Sequence, residues 1–201
     1  MRGKILDALF ESMKVDENIF FLTADMGIGL IERFKEKFPN RFLNVGIAEQ
    51  NLIGIAAGLV NLGYKPFVYT ISNFAIHRCF EQIRNEIGLH KYKITILGTS
   101  CGYDNAPLGP THHVIDDWSA LSNIPNIDIF CPSSVSYAAS PLLALFIPCA
   151  VSLVSSVIGS DGKGIDEETV EDSSSTSSVL RSSEVSKESR ILWAVNGRLK
   201  A

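Results

Sequence analysis

Glu49 stands at the head of the most apolar helical run in the chain, "NVGIAEQNLIGIAAGLVNLG" at residues 44–63, with no further charge before Lys65. A carboxylate is costly to bury alone. Burial also disfavours its charged form, the condition under which a carboxyl exchanges protons usefully near neutrality. Set among Ile47, Ala48, Leu52 and Ile53, Glu49 is therefore a candidate general acid or base. The plain alternative is an acid in a first helical turn, where the helix dipole favours it. A second candidate is the histidine pair of "GPTHH", residues 109–113. A neutral imidazole gives or takes a proton near physiological pH, so His112 qualifies as a proton carrier, while His113 reads either as a substrate contact or as a helix N-terminal residue. Adjacent histidines rarely chelate one ion, and no cysteine or acid spacing supports zinc.

These groups need a scaffold, and short apolar runs alternate with helical patterns over the first two thirds of the chain. "KILDALFESM" places Ile5, Leu6, Leu9 and Phe10 on one helical face. "NIFFLTA", "RFLNV", "KPFVYT", "KITILG" and "IDIFCP" are continuous apolar stretches of the kind buried on both faces of a parallel sheet. Between them, "GLIERFKEKFPN", the Glu49 run, "FAIHRCFEQIRNEIGLH" and "HHVIDDWSALSNI" read as helices. Strand then helix, repeated with short loops, predicts an α/β fold: a doubly wound parallel sheet with helices on both faces. Gly63 is the expected C-cap of the Glu49 helix. Gly54, Ala56, Ala57 and Gly58 leave it a smooth face, fit for close approach by a second chain or by the sheet beneath.

After Pro132 the character changes. "SPLLALFIPCAVSLVSSVIGS" is apolar enough over Leu142 to Ile158 to raise a membrane span, but Pro148 interrupts it and no basic flank or aromatic belt frames it. A last helix and strand of the domain are expected there instead. Residues 159–190 are Ser-rich and charged, too poor in large apolar residues to offset the entropy of ordering, and are expected to be disordered. The final piece, 191–201, has no assignment beyond a stray strand or the start of a further domain.

The net charge of −4 over 201 residues argues against an electrostatic grip on nucleic acid. The four cysteines are dispersed, with no CxxC pair, as expected of buried thiols in a reducing compartment. No signal-peptide pattern opens the chain, so the cytoplasm is the expected location.

Four segments in order carry a family resemblance: "TADMGIG" (23–29), "FPNRFLNVGIAEQNLIGIAAGLVNLGYKPFVYTISNF" (38–74), "RCFEQIRNEI" (78–87) and "GPTHHVIDDWSALSNIPNIDIFCP" (109–132). Together they resemble the pyrimidine-binding domain of transketolase-type thiamine-diphosphate enzymes, most of all the C-terminal subunits of split bacterial transketolases. The resemblance implies a domain over residues 1–158, best matched over 16–132. It implies thiamine diphosphate as cofactor, with Glu49 hydrogen-bonded to N1′ of the aminopyrimidine and thereby promoting the tautomer that activates the thiazolium. Phe74 would stack on the pyrimidine, His77 would lie near its 4′-amino group, and Asp25 would sit near the cofactor. His112 would face substrate and cofactor, His113 would read substrate, and Arg2 would grip a substrate phosphate. Arg78 and Arg84 are expected to be mainly structural, paired with acids such as Glu81 or Asp117.

The resemblance also has gaps. Leu108 stands where such transketolases carry Asp, and Ser100 where they carry His, both readers of the donor sugar. The "GDG" and "NN" ligands that hold Mg²⁺ and the diphosphate have no counterpart beyond "SDGKG" at 160–164. The implied protein is thus one subunit of a ketol-transferring enzyme, inactive alone, working in a homo- or hetero-oligomer with a separate diphosphate-binding chain that holds most of the Mg²⁺. Its substrate would be a small carbonyl compound such as a sugar phosphate. The alternative is a non-catalytic, transketolase-like interaction module.

Overall fold

A computed structural model describes residues 2–131, 150–154, 191–195 and 198–200, with side chains described through residue 131. The disorder expected for 159–190 lies outside the described residues, as does the membrane question over 142–158 apart from 150–154.

The apolar runs form strands where the pattern put them: β1 (Ile19–Thr23), β2 (Phe42–Asn44), β3 (Lys65–Ile71), β4 (Thr95–Thr99) and β5 (Asp128–Cys131). Three further strands follow, β6 (Ala150–Val154), β7 (Ile191–Val195) and β8 (Arg198–Lys200). The sheet order is β2-β1-β3-β4-β6-β5-β7-β8, parallel throughout except for the antiparallel β7–β8 pair. The apolar stretch around Pro148 thus yields a central strand, and the unassigned C-terminal piece extends the sheet beyond β5. Among the described residues no helix is long and apolar enough to cross a membrane.

Helices cover both faces. On one, α1 (Arg2–Val15) and α2 (Glu32–Lys37) bury Leu6, Leu9 and Phe34 against Phe21, Phe67 and Tyr69 of β1 and β3. On the other, α3 (Glu49–Asn61) packs Leu52, Ile53 and Ala56 against Leu22, Val68 and Ile96. The alternation of inward residues along β1 and β3 divides the side chains between these two cores. Gly63, at φ +87°, ends α3 as predicted, its N–H donating to the Val60 carbonyl at 2.9 Å.

Two predicted helices are shorter than their patterns. "FAIHRCFEQIRNEIGLH" divides into α4 (Ser72–Ile76), a turn at 77–79, α5 (Phe80–Gln82) and a π-helical stretch (Ile83–Leu89), where the N–H of His90 reaches back five residues to Asn85. The wider turn buries Ile83 and Ile87 together. "HHVIDDWSALSNI" is helical only over α6 (Asp117–Leu121); His112 ends a 3₁₀ turn (Pro110–His112), and His113 is extended. Val114 instead makes a bridge to Gly102. That pairing pulls the histidines out of the helix.

Chain order reverses around β1, which has β2 on one side and β3 on the other. In open α/β sheets ligands bind beyond the carboxyl ends of strands at such a switch point. Asp25 lies just past β1, and Ser72, Asn73 and Phe74 just past β3, while Glu49 opens the helix that follows β2.

Candidate functional site

Glu49 is only 2% exposed, held at the first turn of α3 while Leu52 and Ile53 anchor that helix to the sheet. It is not alone. Arg78 donates from Nη1 to Glu49 Oε2 at 2.5 Å, an ion pair from the turn between α4 and α5 to the start of α3. The expectation that Arg78 pairs with Glu81 or Asp117 is corrected: its partner is Glu49. The break itself explains this, because the turn at 77–79 points the Arg78 chain back toward α3, where Gln50 Nε2 also donates to the Arg78 carbonyl at 2.9 Å. Among the described residues the second carboxylate oxygen, Oε1, takes no hydrogen bond. Ile47, expected to wall the carboxyl, is 77% exposed and contributes no cover.

The guanidinium also lies over Phe74, with Cζ 4.2 Å from the ring centroid. On the same ring, His112 packs edge-on at 5.1 Å between centroids and 71° between planes. His112 Nδ1 shares a hydrogen bond with Thr111 Oγ1 at 3.0 Å, and Asn73 Nδ2 donates to the Thr111 carbonyl at 2.5 Å. The chain of contacts Glu49–Arg78–Phe74–His112 is continuous, and Asn73 fastens the "GPTHH" turn to the carboxyl end of β3. Three residues singled out from the sequence are therefore gathered in one place, with Arg78 joining them.

The side chains of the remaining candidates make their own contacts. His77 donates from Nε2 to Asp116 Oδ1 at 3.0 Å on α6's threshold. Burial, reinforced by the Asp116 charge, raises the adjacent Asp117 carboxyl above its ordinary range. His113 packs edge-on against Tyr103 at 5.0 Å, and its Nε2 lies 3.4 Å from the Ala106 carbonyl oxygen.

Asp25, at φ +48°, belongs to the turn after β1. Its N–H donates to Asn44 Oδ1 at 2.9 Å, and the same oxygen accepts the Gly46 N–H at 3.0 Å. Asn44 thereby pins the loops after β1 and β2 together, a role the sequence reading missed; an Asn two residues before Gly46 was its signal. Asp25 and Asn44 also edge a cavity of about 470 Å³ lined by Met26, Ile28, Phe42 and Leu43, apart from the Glu49 cluster. Arg2 is the exposed first residue of α1, on the sheet face opposite Glu49. Its charge acts on Tyr69, whose buried hydroxyl is pushed up to about 12 by desolvation.

Among the described residues no three His, Cys, Asp or Glu side chains cluster as metal ligands. The small residues of α3 divide: Ala56 and Ala57 are buried in the core, whereas a Cβ built at Gly54 or Gly58 meets nothing within 4 Å, so these glycines are not spacers for the sheet.

A buried acid and an aromatic ring at the switch point of a parallel sheet mark a candidate ligand site in an α/β domain. Residues 1–150 match the family "Transketolase, pyrimidine binding domain". The chain belongs to that family. It is 37% identical over 134 residues to a putative transketolase C-terminal section of Methanocaldococcus jannaschii, covering 66% of this chain and 42% of the relative. It is 34% identical over 132 residues to a subunit of apulose-4-phosphate transketolase from Phocaeicola vulgatus, covering 65% and 42%. Among solved structures, a split gene transketolase described as an inactive β4 tetramer matches with a TM-score of 0.67 at 35% identity, covering 76% of this chain and 50% of that one. The chain spans less than half the length of these two curated relatives.

Proposed function

We propose that this chain supplies the aminopyrimidine-binding half of a thiamine-diphosphate site for transfer of a two-carbon ketol unit between sugar phosphates or similar carbonyl compounds. The observation that carries the reading is Glu49: a buried carboxylate beside the Phe74 ring, paired only with the part-exposed Arg78 side chain. An acceptor beside a ring face suits a flat heterocycle with an N–H on its edge, so the residues present fit the cofactor's pyrimidine. When bound, thiamine diphosphate supplies a carbon nucleophile for the substrate carbonyl.

This chain's residues bind, orient and move protons. Glu49 holds a ring nitrogen proton through a charge-assisted hydrogen bond, strong because the site excludes water. Phe74 offers its ring for offset stacking. His112, oriented by Thr111 and packed on Phe74, gives and takes a proton at the substrate oxygen. His77, fixed by Asp116, would serve the exocyclic amino group, and Asp25 is assigned to the cofactor's surroundings. His113 and Arg2 are assigned to substrate, with Arg2 the phosphate contact. The diphosphate and most of the Mg²⁺ are assigned to a separate diphosphate-binding subunit, so the chain is inactive alone and works in an oligomer, in the cytoplasm. Residues 1–158 form the domain in this reading.

The experiment mixes the full chain with a diphosphate-binding transketolase subunit, Mg²⁺ and thiamine diphosphate. Cofactor binding is followed by calorimetry and turnover with a panel of ketose phosphates. Partner-dependent binding with donor-dependent turnover is expected. Absence of cofactor binding by a chain that does associate with its partner would sink the reading and leave an interaction module.

A further inference from the structure

The contacts of Arg78 are the two that the proposed function gives to the pyrimidine. One is an N–H donated to the Glu49 carboxylate at 2.5 Å, and the other a flat cationic group over the Phe74 ring at 4.2 Å. A guanidinium is planar, carries its donors on the edge and is weakly hydrated on its faces. It therefore presents the same chemistry as a protonated ring nitrogen on an aromatic heterocycle. We propose that Arg78 is a built-in stand-in for that heterocycle: it fills the slot between Glu49 and Phe74 in the chain without cofactor, and cofactor binding displaces it. The inference rests on the assignment of Glu49 and Phe74 to the pyrimidine.

Access and anchorage both support displacement. Glu49 is 2% exposed, whereas the Arg78 side chain paired with it is 40% exposed, so the group that neutralises the buried carboxylate is itself within reach of solvent. Among the described residues the guanidinium has no hydrogen-bond acceptor besides Glu49. The Gln50 contact holds only the Arg78 backbone carbonyl, which leaves the long side chain free to swing outward. A reason for the stand-in follows from the cost of an unpaired buried charge, which is strongly destabilising. With Arg78 in place, the subunit folds without cofactor and without a bare carboxylate in its core. The consequence is competition: cofactor meets a binding-competent site only in the fraction of molecules whose Arg78 is out, and apparent affinity falls by that fraction.

The test compares wild type, Arg78→Lys and Arg78→Gln, each as the full chain assembled with the diphosphate-binding subunit and Mg²⁺. Circular dichroism checks the fold, and calorimetry gives the dissociation constant for thiamine diphosphate. Removing the competitor is expected to tighten binding about fivefold or more in Arg78→Gln, with Arg78→Lys between it and wild type. Equal or weaker binding in the folded variants overturns displacement and makes Arg78 a permanent counter-ion of Glu49. Should Arg78→Gln not fold, arginine Nε–Hε resonances of the wild-type chain decide, with Arg78→Lys assigning the signal. A shift of the Arg78 signal on cofactor addition supports displacement, and an unmoved signal overturns it. If wild type itself binds no cofactor when assembled, the pyrimidine assignment fails and takes this inference with it. Wild-type binding with unimproved variants removes the inference alone.

Discussion

The imidazole of His112 meets the ring of Phe74 edge-on, with their centroids 5.1 Å apart, although 38 positions separate them in the sequence. The contact joins the segment after β3 to the "GPTHH" turn, and Arg78 lies over the same ring. Phe74→Leu keeps apolar bulk but loses the aromatic face. Cofactor affinity is expected to fall about three- to tenfold, matching the ~0.5–1.5 kcal/mol an aromatic pair adds beyond area burial. Calorimetry on the assembled protein measures this, and unchanged affinity would remove Phe74 from the site.

Glu49→Gln removes the charge but keeps the shape of the side chain. Arg78, being partly exposed, can turn to water, so stability is expected to drop by only about 1 kcal/mol in urea titration. Turnover of the assembled enzyme is expected to fall at least about 10²-fold. A variant retaining full turnover would rule out Glu49 as the proton-exchanging group.

Gly27, in the turn after β1, has φ +94°, and a Cβ there would lie 2.8 Å from Ile31 Cγ2 and 2.9 Å from Tyr69 Cε1. Gly27→Ala combines backbone strain with overpacking and is expected to destabilise the chain by roughly 1–3 kcal/mol. Thermal unfolding checks it, with Gly29→Ala, which has open space at its Cβ but a φ of +83°, isolating the backbone share.

Two aspartates bend the pH profile of stability in opposite senses. The hydrogen bond from Lys65 (2.7 Å) holds Asp16 below its ordinary 3.8, so its contribution is present above that pH and lost as pH falls through the lowered value. Asp117, raised above 3.8 chiefly by burial, contributes stability at low pH that is lost as pH rises through its raised value. Asp16→Asn should therefore cost stability at neutral pH and little in strong acid, while Asp117→Asn should stabilise at neutral pH. Urea midpoints at pH 3 and pH 7 distinguish the two; the same sign for both variants would refute the assignment.

Burial pushes the thiols of Cys79, Cys101 and Cys131 up to about 12. Thiolate is the reactive form, so these three should remain unlabelled by iodoacetamide at pH 8 in the folded chain and label fully in urea. Peptide mass spectrometry reads each site separately.

Much of this was legible because parallel strands buried on both faces leave continuous apolar runs, and β1 to β5 fall within those runs. Glu49, Phe74 and His112, singled out from the sequence, are brought together in the structure. Arg78 was not legible, because its role depends on a break in the helix that the spacing of Ile76, Ile83 and Ile87 hides. The signal existed in another form: an acid buried at a helix start needs a counter-charge, and Arg78 lies four positions past Phe74. The length of α6 was overread for a related reason. Val114 satisfies its backbone by bridging Gly102 rather than by continuing a helix, with the two residues exchanging N–H···O bonds at 2.8 and 3.0 Å. Tertiary pairing of that kind leaves no periodicity to read.

The position of β6 has a consequence for how the chain acquires its structure. β4 and β5 are made earlier, yet they are not neighbours; each pairs with Ala150–Val154, which arrives later and enters between them. A nascent chain that has not yet delivered this strand therefore presents two open strand edges, surfaces prone to pair with other chains. Closing the gap joins segments more than fifty residues apart on the β4 side, a long-range step of the kind that slows folding. The joining of β5 to the rest of the sheet during synthesis thus waits on β6, with β7 and β8 still to follow, and until β6 arrives those edges are exposed to misassociation.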